Sequence, residues 1–235
     1  MKIIKYNEEN RWKVDIWWLK SAHSFSFWEF FNPQLMWFWK LRVINDDIIS
    51  KWMWFWMHPH NNMEIITIVL KWSIQHEDSM WNIWVIHQWE VQAMSAGTGI
   101  FHSEYNPSNE IDTQLFQIWI ETKHRNIQPQ YNQKAFDTIN DNHIELLVSP
   151  NIQDNIAYIN QDAYISQWQV NKDNIIEYKK YNNNNWIYIL NIHWSITIED
   201  NSLNYRDALW IIDVENIKIK WISDSSQFLI IEVPM

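Results

Sequence analysis

The chain has 235 residues, 47% of them hydrophobic, which is enough for one large or two small domains with real cores. Its net charge of −10 and pI near 5.3 do not attract phosphate backbones, so direct nucleic-acid binding is set aside. The absence of cysteine excludes disulfides, thiolate metal sites and cysteine nucleophiles.

The N-terminus, MKIIKYNEENRWKVD, lacks the apolar core and small-residue cleavage site of a signal peptide. No uninterrupted apolar stretch reaches the length that a transmembrane helix needs. The expectation is a soluble cytoplasmic protein with no membrane partner. After this segment, His23 heads an aromatic group of Phe25, Phe27, Phe30 and Phe31, expected to be core packing rather than a substrate cage. Short β-favouring runs then follow one another: KLRVIND (40–46), MEIITIVL (63–70), EVQAMSA (90–96) and TQLFQIWIE (113–121). Later come IELLVSP (144–150), AYISQWQV (163–170), WIYILNI (186–192), SITIED (195–200), NIKIKWIS (216–223) and QFLIIEV (227–233). Many alternate with period 2, as in Ile217, Ile219 and Trp221 against Lys218 and Lys220. Short, regularly spaced strands predict an all-β sandwich or barrel. Only residues 132–142 offer a short helical pattern. The polar stretch from Thr122 to Lys134 breaks the strand rhythm. It predicts a linker over 126–142 between a first barrel, 1–125, and a second, 143–235.

Two motifs carry chemistry. His58 and His60 lie at i and i+2 ahead of the apolar run 63–70, so a strand turns both imidazoles to one face. His102 and Glu104 repeat that spacing just after Gly97 and Gly99. On neighbouring strands the two pairs make three imidazoles and a carboxylate, a set suited to Fe(II), Mn(II), Ni(II) or Cu(II) with open positions for substrate or O2. Zinc also fits, but four protein ligands around it close the site. The competing reading is two unrelated surface pairs. Glu64, four residues past His60, has the parity of a further ligand, or it is an ordinary strand carboxylate. His76 and His87 fall at hairpin ends and read as solvated turns. There is no nucleophile-elbow, Walker or Rossmann glycine pattern.

The balance of 2 Gly against 19 Trp is abnormal, since Gly ordinarily makes up about 7% of a chain. Tryptophans stand at turns in LKWS (70–73), DSMWNIW (78–84) and HQWE (87–90), where left-handed backbone calls for glycine. Trp18 and Trp119 look natural; nineteen less these two leaves 17 suspects, most of them read as standing where glycine is expected. Restoring glycine at Trp72, Trp81 and Trp89 is expected to stabilise the chain.

With both motifs in hand, the chain resembles the pirin family of the cupin superfamily. The likeness runs through KSAHSFSF, FFNPQLMWFWKLRVINDD, MHPHNNMEIITIVLKWSIQHEDSMWN, SAGTGIFHSEYNPS and QIWI, at least over 18–121 and more loosely beyond. Gly99, His102 and Asn106 fit the second cupin motif, whereas Trp52 stands where the first motif has glycine. The resemblance implies a bicupin of two jelly-roll β-barrels. It implies one metal in the first barrel, typically iron, with Mn, Ni, Cu or Zn as alternatives, on His58, His60, His102 and Glu104. Glu64 is then not a ligand. The second barrel, with His143 and His193 but no HxH pair, carries no metal and packs against and shields the first. Some bacterial relatives resemble quercetin dioxygenases, which implies an enzyme acting on a flavonol-like aromatic substrate with O2 and Glu104 as general base. The alternative is a non-enzymatic, metal-dependent regulator binding a protein partner, as animal pirins are described. The chain is expected to be a monomer.

Overall fold

The computed structural model describes residues 1–136, 143–170, 175–221 and 226–235. Among these the regular structure is all strand, apart from one 3-10 turn at Glu8–Asn10, with no α-helix. In chain order the strands are β1 (Lys2–Tyr6), β2 (Trp12–Ile16), β3 (Leu19–His23), β4 (Leu41–Ile49), β5 (Trp54–His60), β6 (Met63–Lys71), β7 (Ser73–Asp78), β8 (Ile83–His87), β9 (Glu90–Ser95), β10 (Ile100–Tyr105), β11 (Thr113–Glu121) and β12 (Gln130–Ala135). There follow β13 (His143–Ser149), β14 (Ala157–Tyr158), β15 (Tyr164–Val170), β16 (Ile175–Lys179), β17 (Asn185–His193), β18 (Ile196–Ile198), β19 (Asn201–Leu203), β20 (Ala208–Ile212), β21 (Asn216–Trp221) and β22 (Ser226–Pro234). No helix among the described residues is long and apolar enough to cross a membrane.

Two compact units result, each a jelly-roll barrel made of two sheets. The first holds Arg11–Phe136 and Asn151–Gln161. Its larger sheet runs β12-β9-β6-β11-β4-β3-β2 and its smaller one β5-β10-β7-β8, all antiparallel where paired. The central strand β6 is buried almost end to end, which is why MEIITIVL reads as a continuous apolar run rather than an alternation. Leu19, Ile49, Val69 and Leu115 of the larger sheet pack with Ile74 and Ile86 of the smaller one. A second cluster, Ile65, Met94, Ala96 and Ile100, lies beside the loop that precedes β10.

The other unit holds Met1–Asn10, Asp137–Pro150 and Asp162–Met235. Its sheets run β1-β20-β17-β22-β15-β13 and β16-β21-β18-β19. Its core has the predicted alternation: Ile217 and Ile219 are fully buried with Ile187, Ile189, Ile196, Ile198 and Ile230.

The division therefore departs from the expected 1–125, 126–142 and 143–235. Residues 2–6 form β1 against β20, so the N-terminal segment belongs with the second unit. Part of the expected linker is β12, paired with β9 along its whole length. The polar side chains of β12 disguised it, because an edge strand needs no apolar alternation to be hydrogen-bonded. Asn132 Nδ2 donates to Tyr158 O at 2.9 Å, and Tyr158 N donates to Asn132 Oδ1 at 2.8 Å, which ties the 151–161 segment to β12. The helical pattern over 132–142 is strand as far as Ala135, and its part at 137–142 lies outside the described residues.

Seven of the 17 suspect tryptophans, Trp28, Trp39, Trp52, Trp72, Trp81, Trp89 and Trp194, have φ between 53° and 69°; among the described residues none of the other ten, Trp84 on β8 included, has positive φ. Trp81 closes the β7–β8 turn, its N donating to Asp78 O at 3.1 Å, at the left-handed position that a turn-plus-bulge hairpin gives to glycine.

Candidate metal centre

Strand β10 lies between β5 and β7, and its register assembles the site. His102 sits opposite His58 and Ile100 opposite His60 on β5. On the other side His102 faces Asp78 and Glu104 faces His76. Because i and i+2 share a face, antiparallel pairing turns His58, His60 and His102 onto one another. Their ring centroids are 4.4–4.9 Å apart, and their ligand nitrogens all lie within 4.8 Å of one another.

The rings open on a cavity of about 60 Å³. Phe27, Phe55 and Trp119 wall its apolar side, and Asn45, Asp47, Glu104 and Gln117 its polar side. Trp119 meets His60 edge-on at 4.7 Å, and Phe27 meets Trp119 edge-on at 5.2 Å.

The donor chemistry fits a divalent ion. His58 Nδ1 lies 2.7 Å from Trp56 O, so it carries the proton and leaves Nε2 bare. His60 Nε2 and His102 Nε2 are buried without a hydrogen-bond partner. An orphaned buried acceptor costs about 1–3 kcal/mol, and coordination to a metal satisfies it. Burial, reinforced by His58, holds the His60 imidazole down to about 4, and burial with the neighbouring imidazoles holds His102 well below its ordinary value. Both rings are therefore neutral at pH 7 with lone pairs available.

Glu104 is buried in the same cavity, but its carboxylate is not one of the converging ligand atoms. Gln117 Nε2 donates to Oε1 at 3.1 Å and to Oε2 at 3.0 Å, and Thr67 Oγ1 donates to Oε1 at 3.3 Å. Asp47, hydrogen-bonded by Ser21 Oγ, is a second cavity carboxyl. Burial, with the charges of Asp46 and Glu104, pushes it up to about 7 against the Ser21 hydrogen bond.

Other expectations change. His76 is not a solvated turn residue: it is fully buried, with Nε2 3.0 Å from Asp78 Oδ2 and Nδ1 3.3 Å from His102 Nδ1. The HxD spacing was the same signal as the HxH pair, but the turn-like DSMWN beside it suggested a hairpin end. His87 is exposed, as expected. Glu64 is fully buried and does not line the cavity; Ser95 Oγ donates to it at 2.5 Å and Asn160 N at 3.1 Å. In the aromatic group, Phe25 is core and His23 packs edge-on against Phe27, but Phe31 is 70% exposed and Phe27 faces the cavity. Asn45, Asp47 and Gln117 were missed. Asn45 and Asp47 alternate on one face of β4, and only the cavity distinguishes them from other strand polar residues.

Residues 6–120 match the Pirin family model, and residues 146–233 match the model for the quercetinase C-terminal cupin domain. The quercetin 2,3-dioxygenase of Escherichia coli O157:H7 is 38% identical over 92% of each chain. The crystal structure of YhhW from Escherichia coli superposes with a TM-score of 0.93 at 36% identity, covering 99% of this chain and 98% of that one. The structure of bacterial pirin YhhW in complex with nickel(II) superposes at 0.92, with 36% identity and 99% of both chains covered. With three imidazoles converging in the first of two jelly-roll barrels, and with this likeness along nearly its full length, the chain belongs to the pirin family.

Proposed function

We propose that the protein is a dioxygenase acting on quercetin-type flavonols with O2, dependent on one divalent ion held by the converging His58, His60 and His102, with Glu104, whose carboxylate lines the same cavity outside that cluster, as its fourth ligand. The observation that carries this reading is the convergence of three imidazoles on a cavity with aromatic walls. The dioxygenase relatives and the nickel-bound relative support it. Three nitrogens and a carboxylate suit Fe(II) first, with Ni(II), Mn(II) and Cu(II) as alternatives. When bound, the ion supplies Lewis acidity toward the adjacent hydroxyl and carbonyl oxygens of a flavonol.

The chain's own residues supply the rest. Phe27, Phe55 and Trp119 offer apolar faces to a planar ring and keep water from it. The cavity beside the imidazoles takes the reacting edge of the substrate and leaves its other ring at the mouth. Glu104 accepts the hydroxyl proton at a carboxylate oxygen. The amide of Gln117 and the hydroxyl of Thr67 aim that carboxylate.

The test is anaerobic loading with Fe(II) or Ni(II), then O2 uptake and flavonol bleaching. Metal-dependent O2 consumption with quercetin is expected. A fully loaded protein that consumes no O2 across a panel of flavonols and catechols refutes the enzyme and leaves the metal-dependent regulator.

A further inference from the structure

We propose that His76 and Asp78 are a positioning pair that decides which nitrogen His102 presents to the cavity. This rests on the reading of His102 as a metal ligand. Asp78 Oδ1 accepts from Met80 N at 2.8 Å and Asn82 N at 3.2 Å, and Oδ2 accepts from Asn82 Nδ2 at 2.8 Å. Burial raises the Asp78 carboxyl, but the hydrogen bonds from Asn82, His76 and Met80 outweigh it and hold the group below its ordinary value. Asp78 is thus a carboxylate, which only accepts.

His76 Nε2, 3.0 Å from Asp78 Oδ2, must then carry a proton. A proton on the buried, partnerless His102 Nε2 would be unsatisfied, whereas on Nδ1 it meets His76 Nδ1 at 3.3 Å as acceptor. His102 Nε2 is therefore bare, and it is the buried atom with no partner. With the other tautomer His102 would offer an N–H to the metal position. Tyr131, its ring 4.9 Å from that of His76, helps hold the pair in place, and His76 is fully buried. The effect expected of such an outer partner is about 10–100-fold in metal affinity.

The test uses nitrogen-15 NMR of the apo protein, in which the two ring nitrogens of His102 report the tautomer directly, together with Ni(II) affinity by chelator competition. Wild type is expected to carry the His102 proton on Nδ1. His76→Phe, which has no acceptor, is expected to lose that preference and to bind Ni(II) about 10–100-fold more weakly. His76→Gln, whose carbonyl still accepts, is expected to restore both in part. Wild type with the proton on Nε2 overturns the proposal, and so does a folded His76→Phe with unchanged tautomer and affinity. If wild type has the expected tautomer but binds no Ni(II), the metal reading fails and the positioning pair stands.

The tryptophans carry a second, independent inference. We infer that glycine, not tryptophan, occupies the turn positions in the protein as its own cell makes it. Seven tryptophans are left-handed, and Trp28, Trp81 and Trp194 are 70%, 93% and 63% exposed, so their rings bury little in return. The two glycines present also have positive φ, and a Cβ on Gly97 would lie 2.1 Å from Ile127 O. Separate mutations would each cost about 1–2 kcal/mol and would not all choose one bulky residue. A uniform exchange of one residue for one other is what a single codon, read as glycine in that cell, produces. Peptide sequencing by mass spectrometry of protein from its natural source is expected to find glycine at positions 28, 72, 81 and 89 and tryptophan at 18 and 119. Tryptophan at the first four overturns the inference.

Discussion

Replacing Trp81 by glycine is expected to stabilise the protein. Trp81 has φ 69° and its side chain is 93% exposed. A non-glycine residue in the left-handed region costs about 1–2 kcal/mol. Removing an exposed ring gives up almost no apolar burial, and the turn hydrogen bond from position 81 N to Asp78 O is kept. Glycine's larger freedom in the unfolded chain returns about 0.5–1 kcal/mol of the gain. The net is about 0.5–1 kcal/mol, or roughly 1–4 °C for a domain of this size. Trp72, at φ 68° and 43% exposed, is expected to behave similarly. Trp89, at φ 69°, lies edge-on to Phe136 at 6.1 Å and is expected to gain less because that contact is lost. The assay is thermal and urea unfolding of the metal-free protein, with Trp81→Ala as control. Alanine removes the ring but keeps the backbone cost. An unchanged or lower melting temperature in Trp81→Gly refutes the reasoning. An equal gain in Trp81→Ala shows that the exposed ring, and not φ, was responsible.

His58→Ala and His102→Ala are each expected to lose the single metal ion, read as metal content per chain by mass spectrometry; full occupancy in either removes that residue from the ligand set. Glu104→Gln, matched to wild type for metal content, is expected to turn over flavonol about 10²–10⁴-fold more slowly; a wild-type rate removes Glu104 as base. Asp47 holds its proton to about 7 in the folded chain against an ordinary 3.8. The folded state thus binds more protons than the unfolded one between those values, and stability falls as pH rises through that window. Asp47→Asn is expected to flatten this slope and to raise stability at pH 8 by up to about 4 kcal/mol. Urea midpoints of metal-free wild type and variant at pH 4 and pH 8 check it, and parallel slopes contradict it.

The HxH and HxE pairs were legible because strand parity is local. Two residues at i and i+2 share a face wherever the strand goes. The same parity made the alternation of Ile217 and Ile219 readable as core. Left-handed turns were legible too, since a hairpin's hand fixes where glycine belongs whatever the rest of the chain does. What pairs with what was not local. His76 became a partner of His102 only because β7 lies beside β10, and no spacing within IQHEDS states that. Gln117 and Asp47 reach the cavity from β11 and β4, far along the chain from the strands that carry the imidazoles. The N-terminal strand's choice of β20 spans nearly the whole sequence. Hydrogen bonding between backbones is indifferent to sequence, so strand partners are chosen by the burial of whole faces. That choice exists only once the barrel has closed, and with it comes the distinction between a polar strand residue and a member of the site.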